Sequence, residues 1–290
     1  MIRLRAFAKL NLSLAVRGLR PDGFHEIESW VQTIDLHDEL TVRALPSPRG
    51  SLAVDNDLEG ISGRDLAEVA ASAILEAKGG GQGASIAIRK GIPAGAGLGG
   101  GSSDAAAVLR ALDHLLEPRL PSRRLHEIAA SIGSDVPLFL HGGSLTIRGR
   151  GEQIEWRNAS PAKAFVLVTP PVHCDTRLVY QAWDQRRGDE YAQAGSLDLG
   201  NNDLRAAALE AYPDLKPYDE VVRNVAQERG AVCGMSGSGS TLFVALAHWR
   251  EAEEMMEAFE RVLPDAIVRC CEPTMQGYEF TDQKLRGVER

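Results

Sequence analysis

The sequence predicts an α+β fold of two domains, and three observations support this prediction. The chain of 290 residues is long enough for two domains of ordinary size. Its first part alternates apolar and polar residues as β-strands do, and a glycine-rich run follows between a strand pattern and a helix pattern. Its last part again combines strands and helices. We therefore expect an N-terminal domain at residues 1–158 and a C-terminal domain at residues 159–290.

Composition and charge exclude several classes of function. The net charge of −8, from 32 basic and 40 acidic side chains, argues against binding to nucleic acid. No apolar stretch reaches the roughly 20 residues that a membrane-spanning helix needs, and the first residues enter a strand pattern directly. We therefore expect a cytoplasmic protein without membrane contact. The four cysteines show no spacing typical of a zinc site, and both a monomer and a homodimer are compatible with the composition.

The beginning of the chain is predicted to form β-strands. Residues 9–16 alternate strictly, with leucine and valine on one face and Lys9 and Asn11 on the other, which predicts a half-buried strand. Apolar residues resume at 27–36 after a turn, and residues 40–44 indicate another strand. Lys9 and Asn11 therefore share the polar face of the first strand.

The glycine-rich run lies between predicted elements. Asp65 is placed to cap a helix that ends at the glycines of residues 79–81, and residues 85–90 form a short strand. Ser102 or Ser103 can cap the helix that follows the run. The order of strand, glycine-rich run and helix is typical of a phosphate-binding loop.

Further helices and strands are predicted after this helix. A helical pattern at 125–132 ends at Gly133, and residues 133–137 then form a turn that carries Asp135. The C-terminal half shows strands at 165–168, 242–246 and 266–270, a helix at 251–262 and a polar loop at 184–202.

Three interpretations of the glycine-rich run are open. It matches the dinucleotide-binding pattern G-x-G-x-x-G, but the acidic residue expected about 20 positions later is absent, and there is no G-x-x-x-x-G-K-[ST] pattern. The second interpretation, a flexible hinge, does not need so many glycines, since each one costs folding entropy. The third is a phosphate site, because bare N–H groups at the start of a helix suit a chain of phosphates. We favour this site, formed by Pro93, Ala94, Gly95, Ala96, Gly97, Leu98, Gly99, Gly100, Gly101, Ser102 and Ser103.

The same run resembles a family motif. Residues 93–106 resemble the P-x-x-x-G-L-[GS]-S-S motif of the GHMP small-molecule kinases. Residues 8–12, Ala-Lys-Leu-Asn-Leu, resemble the first strand of that family, and residues 233–241 resemble its third, glycine-rich motif. Within the family, the chain is most similar to the kinases of the non-mevalonate isoprenoid pathway whose substrate carries a cytidine diphosphate group. That similarity lies in residues 20–26, 32–36, 99–101, 133–137 and 202–204.

The resemblance implies a fold and an activity. The fold would be the two-domain GHMP kinase fold, with an N-terminal domain like ribosomal protein S5 domain 2 and a ferredoxin-like C-terminal domain. The cofactors would be ATP and Mg²⁺, and the acceptor would be an alcohol bound in the cleft between the domains. Two alternatives stay open, namely a GHMP kinase for homoserine, mevalonate or a sugar, and a nucleotide-binding protein of the same fold without catalysis.

The resemblance also implies roles for individual residues. Asp135 would take the proton of the acceptor hydroxyl, although an aspartate on a turn can equally serve as a cap. Lys9 would steady the developing negative charge, or else be a solvated lysine at a strand edge. Ser103 would bind Mg²⁺, and Asp65 receives no role. The residues expected to contact the substrate are Asn11, Phe24, His25, Tyr180, Gly237, Ser238 and Gly239. Within this set, Phe24 would stack on the cytosine base and His25 would form a hydrogen bond with it, whereas Tyr180 is open to a role in core packing instead.

Overall fold

The protein folds into two β-sheets with helices packed on them. A computed structural model describes residues 1–46, 51–56, 65–160, 162–187 and 195–282. The strands are β1 (Ile2–Leu19), β2 (His25–Pro46), β3 (Leu52–Asn56), β4 (Gln82–Arg89), β5 (Ser144–Gly149), β6 (Gln153–Trp156), β7 (Ala164–Thr169), β8 (Val232–Met235), β9 (Leu242–Leu246), β10 (Ile267–Cys271) and β11 (Tyr278–Phe280). The helices are α1 (Leu66–Ala77), α2 (Gly100–Leu115), α3 (Ser122–Ile132), α4 (Val136–His141), α5 (Thr176–Arg187), α6 (Arg205–Ala211), α7 (Lys216–Glu228) and α8 (Trp249–Val262), with a short 3₁₀ turn at Pro213–Leu215.

The two sheets differ in size and in position along the chain. The larger sheet has the order β11-β1-β2-β4-β3, and β2 also pairs with β5, which pairs with β6. The smaller sheet has the order β10-β7-β9-β8. Helices α1 to α4 share a core with the larger sheet, and α5 to α8 lie with the smaller one. This arrangement confirms the predicted α+β class, whereas the boundary near residue 158 stays a prediction.

Strand β1 connects the two halves. Its residues Leu10 and Leu12 pack with Phe165 and Phe243 of the smaller sheet in a third apolar cluster. The rings of these two phenylalanines meet edge to face, with centroids 6.2 Å apart. At the other end of the chain, β11 returns to pair with β1. The position of β1 is therefore fixed from both sides, which fixes the residues it carries.

The prediction that β1 is half-buried is wrong. Lys9 and Asn11 are each only 4% exposed, so the polar face is covered as well as the apolar one. Residues 40–44 are not a separate strand either, because β2 runs without interruption from His25 to Pro46. The alternation along β1 is correct, but it separates a core face from a face that lines the cavity described below.

The structure changes two predictions about helix ends. Helix α2 begins at Gly100, and its cap is Gly99 in a left-handed conformation with φ of 74°, so neither Ser102 nor Ser103 caps it. The short helix α4, which the sequence pattern did not indicate, begins at Val136, inside the turn predicted at residues 133–137. The predicted strands at 85–90, 165–168, 242–246 and 266–270, the helix at 251–262 and the helix capped by Asp65 are confirmed.

The polar loop predicted at 184–202 is shorter than expected. Helix α5 continues to Arg187, and residues 188–194 lie outside the described part of the chain. Among the described residues, no helix combines the length and the apolar character that crossing a bilayer requires.

Asp65 is predicted to contribute to stability through its cap. Its Oδ1 accepts a hydrogen bond of 2.8 Å from the N–H of Ala67 at the start of α1. Replacing Asp65 by Ala should lower the free energy of unfolding by about 1 kcal/mol, because that donor loses its partner. Asp65→Asn, which keeps an acceptor oxygen, is the matched control and should lie near the parent protein in urea denaturation. Equal stability of the Ala and Asn variants would contradict the capping role.

Candidate active site

A cavity of about 850 Å³ opens between the two halves of the chain. Its walls come from β1, from the glycine-rich run, from the turn before α4, from α5 and from the segment between β8 and β9. These segments are distant in sequence, so the cavity exists only in the folded chain.

The glycine-rich run has a backbone that only glycine adopts readily. Gly95, Gly97 and Gly99 have φ of 63°, 76° and 74°, which is the left-handed region. A Cβ atom on Gly97 would also lie 2.3 Å from the carbonyl oxygen of Ser236, and one on Gly99 would lie 2.9 Å from the ring of Phe139. Glycine is therefore required at these positions by conformation and by space.

Three hydrogen bonds anchor this loop to other segments. The N–H of Lys9 donates to the carbonyl of Leu98 at 3.0 Å, and the N–H of Thr241 donates to the carbonyl of Ala96 at 3.2 Å. The hydroxyl of Ser236 donates to the carbonyl of Gly97 at 2.8 Å. The carbonyl groups are thus occupied by protein donors, and Ala96 and Leu98 bury their side chains in the core.

The loop continues into the N-terminus of α2. The first amides of a helix have no acceptor within the helix, and the first bond back in α2 runs from the N–H of Ser103 to the carbonyl of Gly99 at 2.9 Å. The amides of Gly100, Gly101 and Ser102 precede it. Together with the helix dipole, such amides attract an anion, as the sequence predicts for a phosphate site.

A buried charged cluster lies beneath the loop. Lys90 Nζ donates to Asp38 Oδ2 at 2.5 Å and to Asp104 Oδ2 at 2.6 Å. Asp38 Oδ1 accepts from the N–H groups of Gly91 and Ile92, which lead into the loop. Burial, followed by the charge of Asp38, raises the pKa of Asp104. The cluster joins β2, the start of the loop and the first turns of α2.

Lys9 and Asp135 come together at the cavity wall. Lys9 Nζ lies 3.8 Å from Asp135 Oδ2, and the Asp135 side chain is 33% exposed. Lys9 also donates to Asn11 Oδ1. Burial lowers the pKa of Lys9, and the neighbouring Asp135 carboxylate partly opposes this effect. A buried ammonium group and an accessible carboxylate therefore face the same space.

Asn11 holds Lys9 in place through both ends of its amide. Its Oδ1 accepts from Lys9, and its Nδ2 donates to Ser29 Oγ at 2.8 Å. Its own N–H donates to Ser236 Oγ at 3.1 Å. Asn11 thereby links β1, β2 and the segment after β8, and the Lys9 ammonium stays directed toward Asp135.

An aromatic group forms the opposite wall. The rings of His25 and Tyr180 are stacked with centroids 4.6 Å apart, and His25 Nε2 lies 2.8 Å from Asp184 Oδ1. The guanidinium of Arg150 lies 4.6 Å above the ring of Phe24. Burial, and then the charges of Asp135 and Asp184, raise the pKa of Tyr180, so its hydroxyl stays protonated. This wall offers flat rings and hydrogen-bonding groups.

Comparison with known proteins agrees with this geometry. The GHMP kinases N terminal domain matches residues 65–143. The 4-diphosphocytidyl-2-C-methyl-D-erythritol kinase of Pelotomaculum thermopropionicum is 36% identical over 284 residues, which cover 92% of this chain and 97% of the relative. The enzyme of the same name from Thermodesulfovibrio yellowstonii is 34% identical over 277 residues, covering 90% of this chain and 95% of the relative.

Solved structures give the same result. A crystal structure of 4-(cytidine 5'-diphospho)-2C-methyl-D-erythritol kinase is 34% identical, covers 93% of this chain and 99% of its own, and superimposes with a TM-score of 0.73. The chain belongs to the 4-diphosphocytidyl-2-C-methyl-D-erythritol kinase family. The homoserine kinase of Cytophaga hutchinsonii, at 18% identity and a TM-score of 0.73 over 96% of both chains, shares the GHMP kinase fold.

Membership of this kinase family makes the chain an ATP-dependent small-molecule kinase. The structure brings many of the predicted site residues to one cavity. Those that line it are Lys9, Asn11, Phe24, His25, Gly97, Gly99, Ser102, Asp135, Tyr180, Gly237 and Ser238. Those that do not line it are Pro93, Ala94, Gly95, Ala96, Leu98, Gly100, Gly101, Ser103 and Gly239.

Two predicted contacts need correction. Ser103 is completely buried, and its hydroxyl donates to the carbonyl of Phe7 at 2.7 Å, so it is turned away from the cavity and is not placed to bind Mg²⁺. Gly239 is buried beside Met235 and Cys174 and does not line the cavity. Tyr180 lies on the cavity wall and also packs against the apolar core of the smaller sheet, so its contact with the substrate stays a prediction.

Several cavity residues were not predicted from the sequence. Arg150 follows β5, and Arg177, Gln181 and Asp184 lie on α5 together with Tyr180. The spacing from 177 through 180 and 181 to 184 is that of one helix face, which a helix prediction for this segment would have revealed. Two arginines among these residues provide positive charge beside the aromatic wall.

Gly97 is predicted to be essential for ATP binding. In Gly97→Ala the alanine would have an unfavourable φ and its Cβ would collide with the carbonyl oxygen of Ser236, so the loop must move. We expect the KM for ATP to rise about tenfold or more and the free energy of unfolding to fall by about 2 kcal/mol. Gly230→Ala is the matched control, because Gly230 has φ of 64° and nothing within 4 Å of the added Cβ. The control should keep the parent KM for ATP. A Gly97 variant with an unchanged KM would show that the loop does not hold the nucleotide.

Proposed function

We propose that the chain transfers the γ-phosphoryl group of ATP to the 2-hydroxyl group of 4-diphosphocytidyl-2-C-methyl-D-erythritol, a reaction of non-mevalonate isoprenoid biosynthesis. Relatives with that substrate in their names are 33–36% identical over most of the chain. The observation that carries the mechanism is the placing of Lys9 and Asp135, 3.8 Å apart, in the cavity that the glycine-rich loop also lines.

The donor is proposed to bind at the start of α2. The triphosphate of ATP would accept hydrogen bonds from the amides between Gly97 and Ser102, and the helix dipole would favour its negative charge. The anchored carbonyls of Ala96, Gly97 and Leu98 hold these amides in one arrangement before the nucleotide arrives. This arrangement reduces the reorganisation needed in the transition state.

The transfer is proposed to use Asp135 as the base. Asp135 accepts the proton of the acceptor hydroxyl while that oxygen forms a bond to the γ-phosphorus and the bond from phosphorus to the β,γ-bridging oxygen breaks, releasing ADP. Lys9 stabilises the negative charge that spreads over the transferring oxygens. Burial of Lys9 in a region of low dielectric strengthens this attraction.

Mg²⁺ is proposed to bind mainly through the phosphates, with Ser102 as the protein ligand. Mg²⁺ prefers oxygen ligands and commonly takes them from substrate phosphates. Ser102 lines the cavity at the start of α2, whereas the hydroxyl of Ser103 donates to the carbonyl of Phe7. When bound, the ion would neutralise charge on the phosphates.

The acceptor is proposed to lie against the aromatic wall. The Phe24 ring and the Tyr180–His25 stack offer faces and edges for a cytosine base. Arg150 and Arg177 line the same cavity and suit a diphosphate group, because each guanidinium can donate two parallel hydrogen bonds to phosphate oxygens. The substrate is thus a small molecule that diffuses to the cavity, and we infer a cytoplasmic location, where ATP is supplied.

Two aspartates of the cavity are predicted to have different kinetic roles. Asp135→Asn should lower kcat by about 100-fold or more, because the base is lost, and should change the KM values little. Asp184→Ala removes the partner of His25 and should raise the KM for the cytidine-bearing substrate about three- to tenfold with kcat nearly unchanged. Steady-state assays of ADP release separate the two. Near-normal kcat for Asp135→Asn would remove it from this role.

The pH dependence of turnover is predicted to report on Lys9. Its pKa is lowered from the ordinary value of 10.5 by burial, so its ammonium loses a proton at a lower pH than an exposed lysine does. The charged form supports transfer, and kcat should therefore fall as the pH rises through this lowered pKa. Lys9→Arg stays charged and should shift that fall to higher pH. A parent enzyme whose kcat stays level beyond pH 10.5 would contradict the proposed charge role.

A further inference from the structure

A second cavity, of about 640 Å³, lies beside the helices that pack on the larger sheet. It is bounded by the last turns of α2, the residues before α3, the end of α4 and the segment that leads into β11. Its volume is within the range of small-molecule sites. It shares no described lining residue with the cavity of the active site.

Arg110 places an incompletely bonded cation at this cavity. Its Nη2 donates to the carbonyl of Leu140 at 3.3 Å, and its guanidinium lies 5.8 Å from the centre of the Tyr278 ring. Its Nε is buried and has no hydrogen-bond partner within the described part of the chain. Because this Nε is inaccessible from the cavity, an acceptor on a ligand would bond the terminal nitrogens of the guanidinium.

Arg119 adds a second guanidinium to this wall. Arg119 Nη2 lies 2.6 Å from His114 Nδ1, which orients the guanidinium at the cavity. The contact of Arg119 with Glu117 is longer, at 3.9 Å, and both side chains are substantially exposed, so it compensates the charge weakly. Two guanidinium groups therefore line one cavity.

The carboxylate on the wall does not cancel these charges. Asp113 Oδ1 lies 2.7 Å from Lys78 Nζ and accepts a hydrogen bond of 2.9 Å from the N–H of Leu120. Its charge is therefore balanced inside the protein. Desolvation, followed by the nearby His126 and Arg110, lowers the pKa of His141 on the same wall, as expected where positive charge accumulates.

We propose that this cavity binds a phosphate or diphosphate group, either as the free anion or as an ester with a short apolar tail. A guanidinium group can bind a phosphate through two parallel hydrogen bonds, and two guanidinium groups line this cavity. The chain as a whole has a net charge of −8, so the positive charge here is local. Leu120, Leu140 and Met275 line the same cavity and could contact an apolar tail.

The proposed site is distinct from the place where ATP reacts. Arg110 lies ten residues after Gly100 on α2, which corresponds to about 15 Å along the helix axis. An anion at Arg110 therefore does not touch the amides at the start of α2. The two cavities lie toward opposite ends of this helix.

Calorimetric titration of the full chain tests the proposal. One arm uses inorganic pyrophosphate and the other a short-chain alkyl diphosphate, and tighter binding of the ester assigns the apolar lining to its tail. Arg119→Gln should weaken the binding of the preferred probe about tenfold or more at one site, because a charge-assisted pair of hydrogen bonds is lost. Anion binding at the active site is common to all variants and does not mask this difference.

The control is Arg123, which lies close to Arg119 in the sequence but does not line the cavity. Arg123 on α3 is 91% exposed and contacts Glu127 of its own helix, so Arg123→Gln should bind both probes as the parent does. Arg119 is partly exposed, which makes a folding defect in its variant unexpected, and thermal unfolding checks this point. Identical isotherms for the parent, Arg119→Gln and Arg110→Gln, or equal weakening in Arg123→Gln, would overturn the proposal.

Discussion

The position of Lys9 is the constraint on which the rest of the site depends. Its main-chain N–H holds the glycine-rich loop through Leu98, and its side chain lies 3.8 Å from Asp135. One residue therefore sets the distance between the proposed phosphate site and the proposed base. It can do so because both faces of β1 are covered. One face packs in the apolar cluster around Phe165, and the other, which carries Lys9 and Asn11, is buried against the residues around the cavity. Strand β1 is also paired on both edges, with β2 and β11, so it lacks the freedom of an edge strand.

Both halves of the chain contribute to this constraint. Ser236 and Thr241 of the C-terminal half anchor the loop carbonyls, and α5 supplies the aromatic and charged wall. Beneath the loop, Lys90 bonds both Asp38 of the larger sheet and Asp104 of α2, which ties α2 to that sheet. The site is thus stabilised by contacts between distant segments, and a change in the packing of either half is expected to alter the loop before it unfolds the chain.

The sequence predicted those parts of the site that depend on local pattern. The alternation along β1 placed Lys9 and Asn11 on one face, and the glycines indicated the loop. Burial of that polar face was not predictable, because it results from contacts with residue 236 and residue 135, which lie far along the chain. Ser103 was misassigned because α2 begins one turn earlier than a serine cap would set, so its hydroxyl turns inward to Phe7. Of the α5 residues on the cavity, the sequence predicted only Tyr180, because the others are identified by their position on one face of a helix that was not among the predicted elements.

The most direct test is a crystal structure with Mg²⁺, a non-hydrolysable ATP analogue and 4-diphosphocytidyl-2-C-methyl-D-erythritol bound together. The account predicts phosphate oxygens at the amides between Gly97 and Ser102, and the acceptor hydroxyl within about 3 Å of the Asp135 carboxylate. A triphosphate bound elsewhere, or an acceptor hydroxyl out of hydrogen-bond reach of Asp135, would contradict the central claim that Lys9 joins the two sites.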